Sequence, residues 1–257
     1  MPPRLFLDTP LGAAAAGDAA AASTVPVELI LPAGAARHVQ VLRLQPGEAI
    51  TLFDGSGYEW QAEVLRMGRS EVAVHLQARQ LVHRELAHAV SLCVVMPAND
   101  RMDGVIEKAT ELGAAAVQPL MSERSVLRLS GDRADKKQAH WQGVAVAACE
   151  QSGRAQVPKI EPVRTLAQWL KSLPPVQPEQ RRWLLSPGAA RPIAALAREQ
   201  AEATSTLVLS GPEGGLSPAE EQAARELGFE AVQLGPRILR ADTAPLAVLG
   251  WLALQSV

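Results

Sequence analysis

Two glycine-bearing turns in the last fifth of the sequence carry the residues best suited to hold a ligand. Residues 210–217 read Ser-Gly-Pro-Glu-Gly-Gly-Leu-Ser, and residues 234–240 read Leu-Gly-Pro-Arg-Ile-Leu-Arg. Each follows an apolar stretch. Glycines let the main chain approach a ligand closely and expose its amide groups. We therefore expect a ligand site built from backbone, although tight turns without a ligand would explain the glycines equally well.

The motifs that bind phosphate are missing from both turns. No Gly-Lys-Ser/Thr follows the glycines, and their spacing is not Gly-x-Gly-x-x-Gly, which disfavours a P-loop and a dinucleotide-dependent oxidoreductase. Ile238 and Leu239 are apolar in a turn, where polar residues are expected. Apolar contacts beside exposed amides suit an adenine ring. Arg237 and Arg240 add charge at the mouth, unless they form ordinary surface ion pairs.

Each turn is predicted to connect a strand to a helix. Ser217 is a predicted N-cap, Pro218 occupies the first helical position, and Glu220 completes a capping box. Thr243 is predicted to begin the last helix, because Pro245 follows two residues later. The turns should therefore lie at the carboxyl ends of their strands.

The rest of residues 81–257 alternates between short apolar strands and helical stretches. Asp100 is the predicted cap of a helix that ends at Gly113. Strands are predicted at residues 89–96, 115–120, 182–186, 207–210 and 232–234, and helices at 101–112, 136–151, 165–173 and 192–201. This alternation predicts an α/β fold, with a parallel sheet covered by helices.

Residues 1–80 are predicted to form a separate, β-rich domain. Strands are expected at residues 27–31, 49–53, 58–65 and 71–76, with a hairpin turn at Asp54-Gly55. A short helix is expected at residues 38–44, ended by Pro46-Gly47. Residues 77–88 show no clear period and are predicted to be a connector. The strand count and spacing fit a small barrel.

Composition limits the possible functions. The chain has 257 residues, of which 47% are hydrophobic, and a formal net charge of −2. Any nucleic-acid site must therefore be a local patch. Cys93 and Cys149 lie in apolar stretches, so we expect buried, reduced thiols, and neither has a partner at metal-ligand spacing. We expect no metal, no signal peptide and no membrane span, which leaves the cytoplasm.

Several motifs together carry a resemblance to a known family. Residues 210–220 and 234–240 resemble the ribosomal RNA small subunit methyltransferase E family, SPOUT-class enzymes that methylate N3 of a uridine in 16S ribosomal RNA. Similar stretches occur at residues 101–113, 122–125, 140–142 and 147–154, and residues 38–43 with 53–55 resemble its N-terminal PUA-like barrel. The resemblance covers essentially the whole chain.

The resemblance implies a fold, a cofactor and partners. The expected fold is a SPOUT-type trefoil-knotted parallel sheet with helices on both faces, at residues 81–257, preceded by a PUA-like, RNA-binding β-barrel at residues 1–80. The expected protein is a homodimer that acts on 16S ribosomal RNA, on the assembled small subunit. S-adenosylmethionine should lie between three loops. The implied cofactor residues are Leu185, Ser186, Pro187, Leu209, Ser210, Gly211, Gly214, Gly215, Leu234, Gly235, Ile238 and Leu239.

Methylation at uridine N3 requires removal of a proton or stabilisation of the anion. We predict that Arg240 stabilises the uridine anion or its exocyclic oxygens. Glu213 is the alternative, as a base or as an acceptor, unless its carboxylate stabilises its own loop. Local positive charge should hold the RNA. For His38, a structural role in the small domain is an equally good alternative to contact with RNA or substrate. The predicted RNA-binding residues are Arg4, His38, Arg43, Lys108, Arg124, Arg128 and Arg154.

The sequence also departs from the family pattern. Ala98 stands where many members have lysine, and Gly104 where a bulky residue is common. Asp242 replaces a glutamate and Ala241 a threonine, so a role for the Asp242 carboxylate is left open. Two other functions fit the same fold: a SPOUT methyltransferase with another RNA target, or a non-catalytic RNA-binding protein.

Overall fold

The structure is a computed structural model that describes residues 2–11, 27–69, 71–98, 100–186, 188 and 191–255. The chain divides into two compact units. The first comprises Met1–Glu85 and Cys149–Val157, and the second comprises Leu86–Ala148 and Pro158–Val257. The sequence did not indicate that Cys149–Val157 returns to the first unit.

In its described residues, the first unit contains a five-stranded sheet and one complete helix. Its elements are β1 (Arg4–Phe6), β2 (Val27–Ile30), α1 (Ala33–Val41), β3 (Ala49–Phe53), β4 (Tyr58–Met67) and β5 (Val72–Leu81). The strand order is β1-β3-β4-β5-β2, and β1 runs parallel to β3 while the other neighbours are antiparallel. Ile50, Leu52, Trp60 and Val64 alternate along their strands and are buried, together with Val39 of α1. These alternate residues face one core, as the two-residue period of a strand requires, while their neighbours Thr51 and Glu59 are buried on the other face.

Three features of the first unit differ from the sequence prediction. The helix spans Ala33–Val41 rather than residues 38–44, because it begins directly after Pro32, without a side-chain cap. The strand β1 has three residues and was not predicted. The strand β5 continues to Leu81, so the connector begins only at residue 82.

The end of α1 explains why the helix stops before the predicted Pro46-Gly47. Arg43 has a φ of 58°, in the left-handed region that favours glycine. Its backbone N–H donates to the Gln40 carbonyl at 3.0 Å, and Leu44 N–H donates to the Val39 carbonyl at 3.2 Å. These two bonds form a Schellman motif in which arginine occupies the usual glycine position.

In the residues that the structure describes, the second unit is built on an eight-stranded sheet in which each pairing is parallel. Its elements are β6 (Ala89–Val95), α2 (Arg101–Glu111), β7 (Ala116–Met121), α3 (Asp132–Ser152), β8 (Lys159–Ile160), β9 (Arg164–Thr165), α4 (Leu166–Ser172), β10 (Gln180–Leu185), β11 (Arg191–Pro192), α5 (Ile193–Glu199), β12 (Ser205–Ser210), α6 (Pro218–Glu226), β13 (Glu230–Gln233) and α7 (Thr243–Gln255). The strand order is β11-β13-β10-β12-β6-β7-β8, and β9 pairs with β7. The last residues of α3, from Cys149, group with the first unit.

Both faces of this sheet are covered. Cys93 and Val95 of β6 pack with Trp169 of α4 and Ala224 of α6 in one core cluster. The intervening residue Val94 is also buried, and α7 packs against β6, β12 and α2. Because alternate residues of a strand point to opposite faces, burial of consecutive residues requires helices on both sides. The predicted α/β class is confirmed. Among the described residues, no helix is long and apolar enough to cross a membrane.

The helix boundaries contain two corrections. Asp100 precedes α2, but its side chain makes no capping hydrogen bond; its carboxylate lies 3.5 Å from Lys137 Nζ instead. The helix α3 begins at Asp132, earlier than predicted, and its first turn carries Asp132 and Asp135, which complement the positive end of the helix dipole. The thiol predictions are confirmed, since Cys93 and Cys149 are free and buried.

Candidate active site

A cavity of about 430 Å³ lies at the carboxyl ends of three neighbouring strands of the second unit. The strands are β13, β10 and β12, which are adjacent in the sheet. The last residues of these strands and the loops that follow them supply most of the wall: residues 185–186, 210–213, 215–216 and 232–241. The crevice outside the carboxyl ends of parallel strands is where α/β proteins generally bind ligands. The volume is within the range of small-molecule sites.

The first turn, residues 211–217, has a fixed backbone. Gly215 N–H donates to the Pro212 carbonyl at 2.8 Å, which closes a tight turn. A Cβ at Gly211 would lie 3.1 Å from the backbone nitrogen of Leu216, so only glycine fits there without a shift. Ser217 Oγ accepts from Glu220 N–H, and the Glu220 carboxylate accepts from Ser217 N–H, which confirms the predicted capping box and helix start.

The second turn, residues 234–241, is more open. Gly235 has a φ of 105° and no atom within 4 Å of a would-be Cβ. Ile238 is 84% exposed, which is unusual for a large apolar side chain in a wall. The Arg240 carbonyl accepts from Thr243 N–H at 3.0 Å and from Ala244 N–H at 2.9 Å, so α7 begins at Thr243 as predicted.

The third wall lies after β10. Ser186 N–H donates to the Val232 carbonyl at 3.3 Å, and Ser186 Oγ donates to Glu221 Oε1 at 3.3 Å. On the neighbouring strand β12, Ser210 pairs with Leu185, and its buried Oγ has no hydrogen-bond partner among the described residues. The wall therefore combines apolar side chains with a small number of fixed polar groups.

The cavity brings together most of the predicted cofactor residues. The predicted residues that line it are Leu185, Ser186, Ser210, Gly211, Gly215, Leu234, Gly235, Ile238 and Leu239. Leu209 and Gly214 do not line it. Leu209 points instead into the core cluster with Leu184 and Leu216, because it is one residue from Ser210 along the strand. Pro187 lies outside the described residues.

Arg101 lines the cavity and was not predicted as a site residue. Its side chain comes from the first turn of α2. Arg101 NH1 lies 3.5 Å from Glu213 Oε1, and Arg101 Nε lies 4.0 Å from Asp242 Oδ2. The guanidinium thus lies near a carboxylate of the first turn and near the carboxylate of Asp242, which directly follows the second turn. The sequence contains the charges of Arg101, Glu213 and Asp242, but nothing in it indicated that the start of α2 would lie next to both turns.

The two predicted catalytic residues both line the cavity, in different environments. The Arg240 side chain is exposed and makes no ion pair in the part of the chain that the structure describes. Glu213 Oε1 accepts hydrogen bonds from Ala98 N–H at 3.0 Å and from Arg101. Glu213 therefore ties its turn to the start of α2, rather than stabilising its own loop.

Two of the predicted RNA-binding arginines are buried within the first unit. Arg4 forms an ion pair with Glu59, donates to the Arg154 carbonyl at 3.0 Å and lies over the Phe53 ring. Arg154 forms an ion pair with Glu85. Both side chains are only about 5% exposed. The prediction that they contact RNA is corrected, because their guanidinium groups are used inside the protein.

The remaining predicted RNA residues are accessible. In the first unit, Arg43 is exposed, and His38 Nδ1 lies 3.6 Å from Glu150 Oε2. In the second unit, Lys108 contacts Glu107 and Glu111, whose hydrogen bonds raise the pKa of the lysine. Arg128 donates to the Glu123 carbonyl at 2.9 Å.

Arg124 differs from these residues, because its contacts are with the first turn. Arg124 NH1 donates to the Gly214 carbonyl at 2.8 Å and to the Leu216 carbonyl at 3.4 Å. Both acceptors belong to the backbone of that turn. The side chain therefore touches the wall of the candidate site from outside the cavity lining.

Comparison with known proteins defines the class. Residues 84–253 match the model of an RNA methyltransferase domain, and residues 31–77 match that of an RNA methyltransferase PUA domain. The first match spans the parallel sheet and all three walls of the cavity. The fold and site are thus those of an RNA methyltransferase with an N-terminal PUA domain.

Individual relatives narrow the class to one family. The ribosomal RNA small subunit methyltransferase E of Bacillus subtilis is 32% identical over 85% of this chain and 86% of its own length. A crystal structure of the Neisseria gonorrhoeae enzyme of that name, bound to S-adenosyl methionine, has a TM-score of 0.86 at 33% identity, over 99% of this chain and 98% of that one. A putative methyltransferase from Legionella pneumophila, in complex with the same cofactor, has a TM-score of 0.87 at 28% identity, over 99% of this chain and 98% of that one. The chain belongs to the ribosomal RNA small subunit methyltransferase E family.

Proposed function

We propose that the protein transfers a methyl group from S-adenosylmethionine to N3 of a uridine in 16S ribosomal RNA. The observation that carries the proposal is the cavity formed by the three loops after β10, β12 and β13, in a chain of this family. The bound cofactor in the Neisseria gonorrhoeae relative supports the choice of ligand. The target base and the position of methylation rest on the family resemblance.

The residues of the cavity fit this cofactor. Exposed Ile238 offers an apolar surface for a flat ring, and the glycines at 211, 215 and 235 leave the backbone accessible. Ser210 Oγ is a buried polar atom without a partner among the described residues. Leu185 and Ser186 form the third wall. When bound, the cofactor supplies an electrophilic methyl group on a sulfonium.

Arg240 is our proposed catalytic residue. A uridine becomes a nucleophile at N3 only when its proton passes to solvent or to a base, and a cation beside the exocyclic oxygens stabilises the resulting anion. Arg240 suits this role because it lines the cavity and no described carboxylate neutralises it. Glu213 is the second candidate, as a base or an acceptor. Its Oε1 is already engaged by Ala98 and Arg101, which favours a tethering role.

The RNA is proposed to bind through the exposed cations Arg43, Lys108 and Arg128, with the half-buried His38 as a further polar contact. Phosphate contacts of this kind give affinity that falls steeply with salt concentration. Flat salt dependence would count against the group.

We also propose that the protein acts as a homodimer in the cytoplasm, on the assembled small subunit. The helix α7 is apolar around most of its circumference, and Leu254 in its last turn is 76% exposed. A second copy of the chain would cover such a surface. The last helix is expected to pass through a loop as a trefoil knot, as in the family.

Arg240→Ala tests the proposed reaction. Methyl transfer to purified small subunits should fall by about 100-fold or more, the usual effect of removing one charge-stabilising donor. The affinity for S-adenosylmethionine, measured by calorimetry, should stay within a few-fold. The reason is that Arg240 contributes its carbonyl, not its side chain, to the start of α7. Arg198→Ala removes an exposed arginine on α5 and is the matched control.

Three results would separate the alternatives. Unchanged turnover in Arg240→Ala would refute the assignment of that residue. Mass spectrometry of nucleosides from a deletion strain should show loss of 3-methyluridine from 16S ribosomal RNA, and loss of another modified nucleoside would indicate another RNA target. Failure of the wild-type protein to bind S-adenosylmethionine would indicate a non-catalytic RNA-binding protein. Assays with naked RNA beside assembled subunits identify the substrate.

A further inference from the structure

The first turn of the cavity is held from the segment that follows β7. Arg124 NH1 donates to the carbonyls of Gly214 and Leu216. One residue earlier, Glu123 N–H donates to Glu220 Oε1 at 2.8 Å. The same Glu220 carboxylate accepts from Ser217 N–H at 2.9 Å. Residues 123–124 therefore contact the turn at both its centre and its exit into α6.

The hydrocarbon part of Arg124 also packs on the turn. A Cβ built at Gly214 would lie 3.7 Å from Arg124 Cδ and 3.8 Å from Arg124 Cβ. Arg124 itself does not line the cavity, whereas Gly215 and Leu216 do. Its two acceptors flank Gly215, which has a φ of 67° and closes the tight turn by its bond to Pro212. Arg124 thus holds the peptide group that precedes Gly215 and the peptide group that follows Leu216, on either side of the left-handed bend.

Resting on the proposed use of S-adenosylmethionine, we propose that Arg124 is a positioning residue for the cofactor turn rather than a contact with RNA. A guanidinium that donates to two carbonyls holds both peptide planes in one orientation. Without it, the turn can rotate these peptides, and part of the binding energy is then spent on restoring the bound geometry. Arginine in this place therefore affects cofactor affinity through Gly214 and Leu216.

The test compares Arg124→Ala, Arg124→Lys and Arg133→Ala in the full-length protein. Arg133 is an exposed arginine on α3, so its removal controls for loss of one positive charge. The affinity for S-adenosylmethionine is measured by calorimetry. Binding to small ribosomal subunits is measured as a function of salt concentration. Thermal unfolding followed by circular dichroism shows whether each variant is folded.

We expect Arg124→Ala to weaken S-adenosylmethionine binding about tenfold, the effect of losing one charge-assisted contact on a partly exposed group. Arg124→Lys should recover part of this loss, because an ammonium reaches one carbonyl but cannot hold two in a plane. The salt dependence of RNA binding should match that of Arg133→Ala. Cofactor affinity within twofold of wild type in Arg124→Ala would overturn the proposal. If the slope of log RNA affinity against log salt concentration were also lower than that of Arg133→Ala by about one unit, Arg124 would be assigned to an RNA phosphate contact.

If Arg124→Ala does not fold, Arg124→Lys decides the question. We expect it to bind S-adenosylmethionine two- to fivefold more weakly than wild type, and wild-type affinity would refute the positioning role. These measurements need no methyl transfer. A failure of the proposed uridine reaction would therefore leave the result for Arg124 standing, and a failure at Arg124 would leave the reaction untouched.

Discussion

The left-handed backbone at Arg43 gives a prediction in which stability and RNA binding change in opposite directions. A left-handed conformation costs a residue with a Cβ about 1–2 kcal/mol. Glycine avoids this cost but loses about 0.5–1 kcal/mol through the greater freedom of its unfolded chain. Arg43→Gly should therefore raise the free energy of unfolding by about 0.5–1 kcal/mol. The hydrogen bonds of the Schellman motif involve only backbone and are retained.

The same change should weaken RNA binding, because Arg43 is exposed and is one of our proposed phosphate contacts. The slope of log affinity against log salt concentration should fall by about one unit for each lost phosphate contact. The assays are urea unfolding of the full-length protein and binding to small ribosomal subunits at several salt concentrations.

Two further variants separate the backbone from the charge. Arg43→Lys keeps both the charge and the left-handed cost, so both measurements should match wild type. Arg43→Asn removes the charge and tolerates the left-handed region, so it should lose the same salt slope and gain part of the stability. An Arg43→Gly protein no more stable than wild type would refute the strain, and an unchanged slope in both uncharged variants would refute the RNA contact.

Three other changes test the site and the cores. Gly211→Ala should weaken S-adenosylmethionine binding at least tenfold, because the new Cβ would lie 3.1 Å from the Leu216 nitrogen and force the turn to move. Glu59→Gln should lower the free energy of unfolding by about 3 kcal/mol, since it leaves the buried Arg4 without its charged partner. Burial, and then the charge of Arg181, lower the pKa of His88. The folded protein thus disfavours the charged ring. The free energy of unfolding should therefore fall as pH drops below 6.5, the ordinary pKa of histidine, and His88→Gln should reduce this fall.

Each of these has a control. Gly143→Ala lies in α3 with open space around its Cβ, and should raise stability by up to about 1 kcal/mol with no change in cofactor affinity. A loss below about 1 kcal/mol in Glu59→Gln would mean that the ion pair is replaceable. For His88, wild type and variant are compared across pH by urea unfolding, and parallel curves would contradict the assignment.

The helices and strands that the sequence identified well are those with local signals. The capping box at Ser217 and Glu220, the stop at Gly113 and the start of α7 at Thr243 depend on residues within one turn of each other. Such signals act through local hydrogen bonds and backbone geometry, so they hold unless a distant partner competes for the side chain, as Lys137 does for the predicted cap at Asp100. The walls of the cavity around residues 211–215 and 234–240 followed from the glycines, whereas Leu185 came only from the family resemblance.

Features that depend on distant partners were missed. The strand β1 is three residues long and exists because β3 pairs with it. The burial of Arg4 and Arg154 depends on Glu59 and Glu85, which lie far away in the sequence. Arg101 reaches the cavity because α2 follows β6, the neighbour of β12 in the sheet. The charge of a residue in a sequence indicates neither whether its side chain is buried nor which residue it pairs with. Two arginines that form ion pairs inside the fold were therefore predicted to bind RNA.

The bond between Glu123 and Glu220 joins residues 97 positions apart. It has a consequence for how the protein becomes competent during synthesis. The first strand of the second unit, β6, lies between β7 and β12, so the sheet closes only when Ser205–Ser210 has been made and has paired with Ala89–Val95. Contacts of such long sequence separation form late and slowly. In a chain still emerging from the ribosome, the glycine residues of the first turn are therefore present before the turn has its folded conformation. Because residues 232–241 and Ala244 line the cavity, we expect cofactor binding only after β13 and the start of α7 have been made.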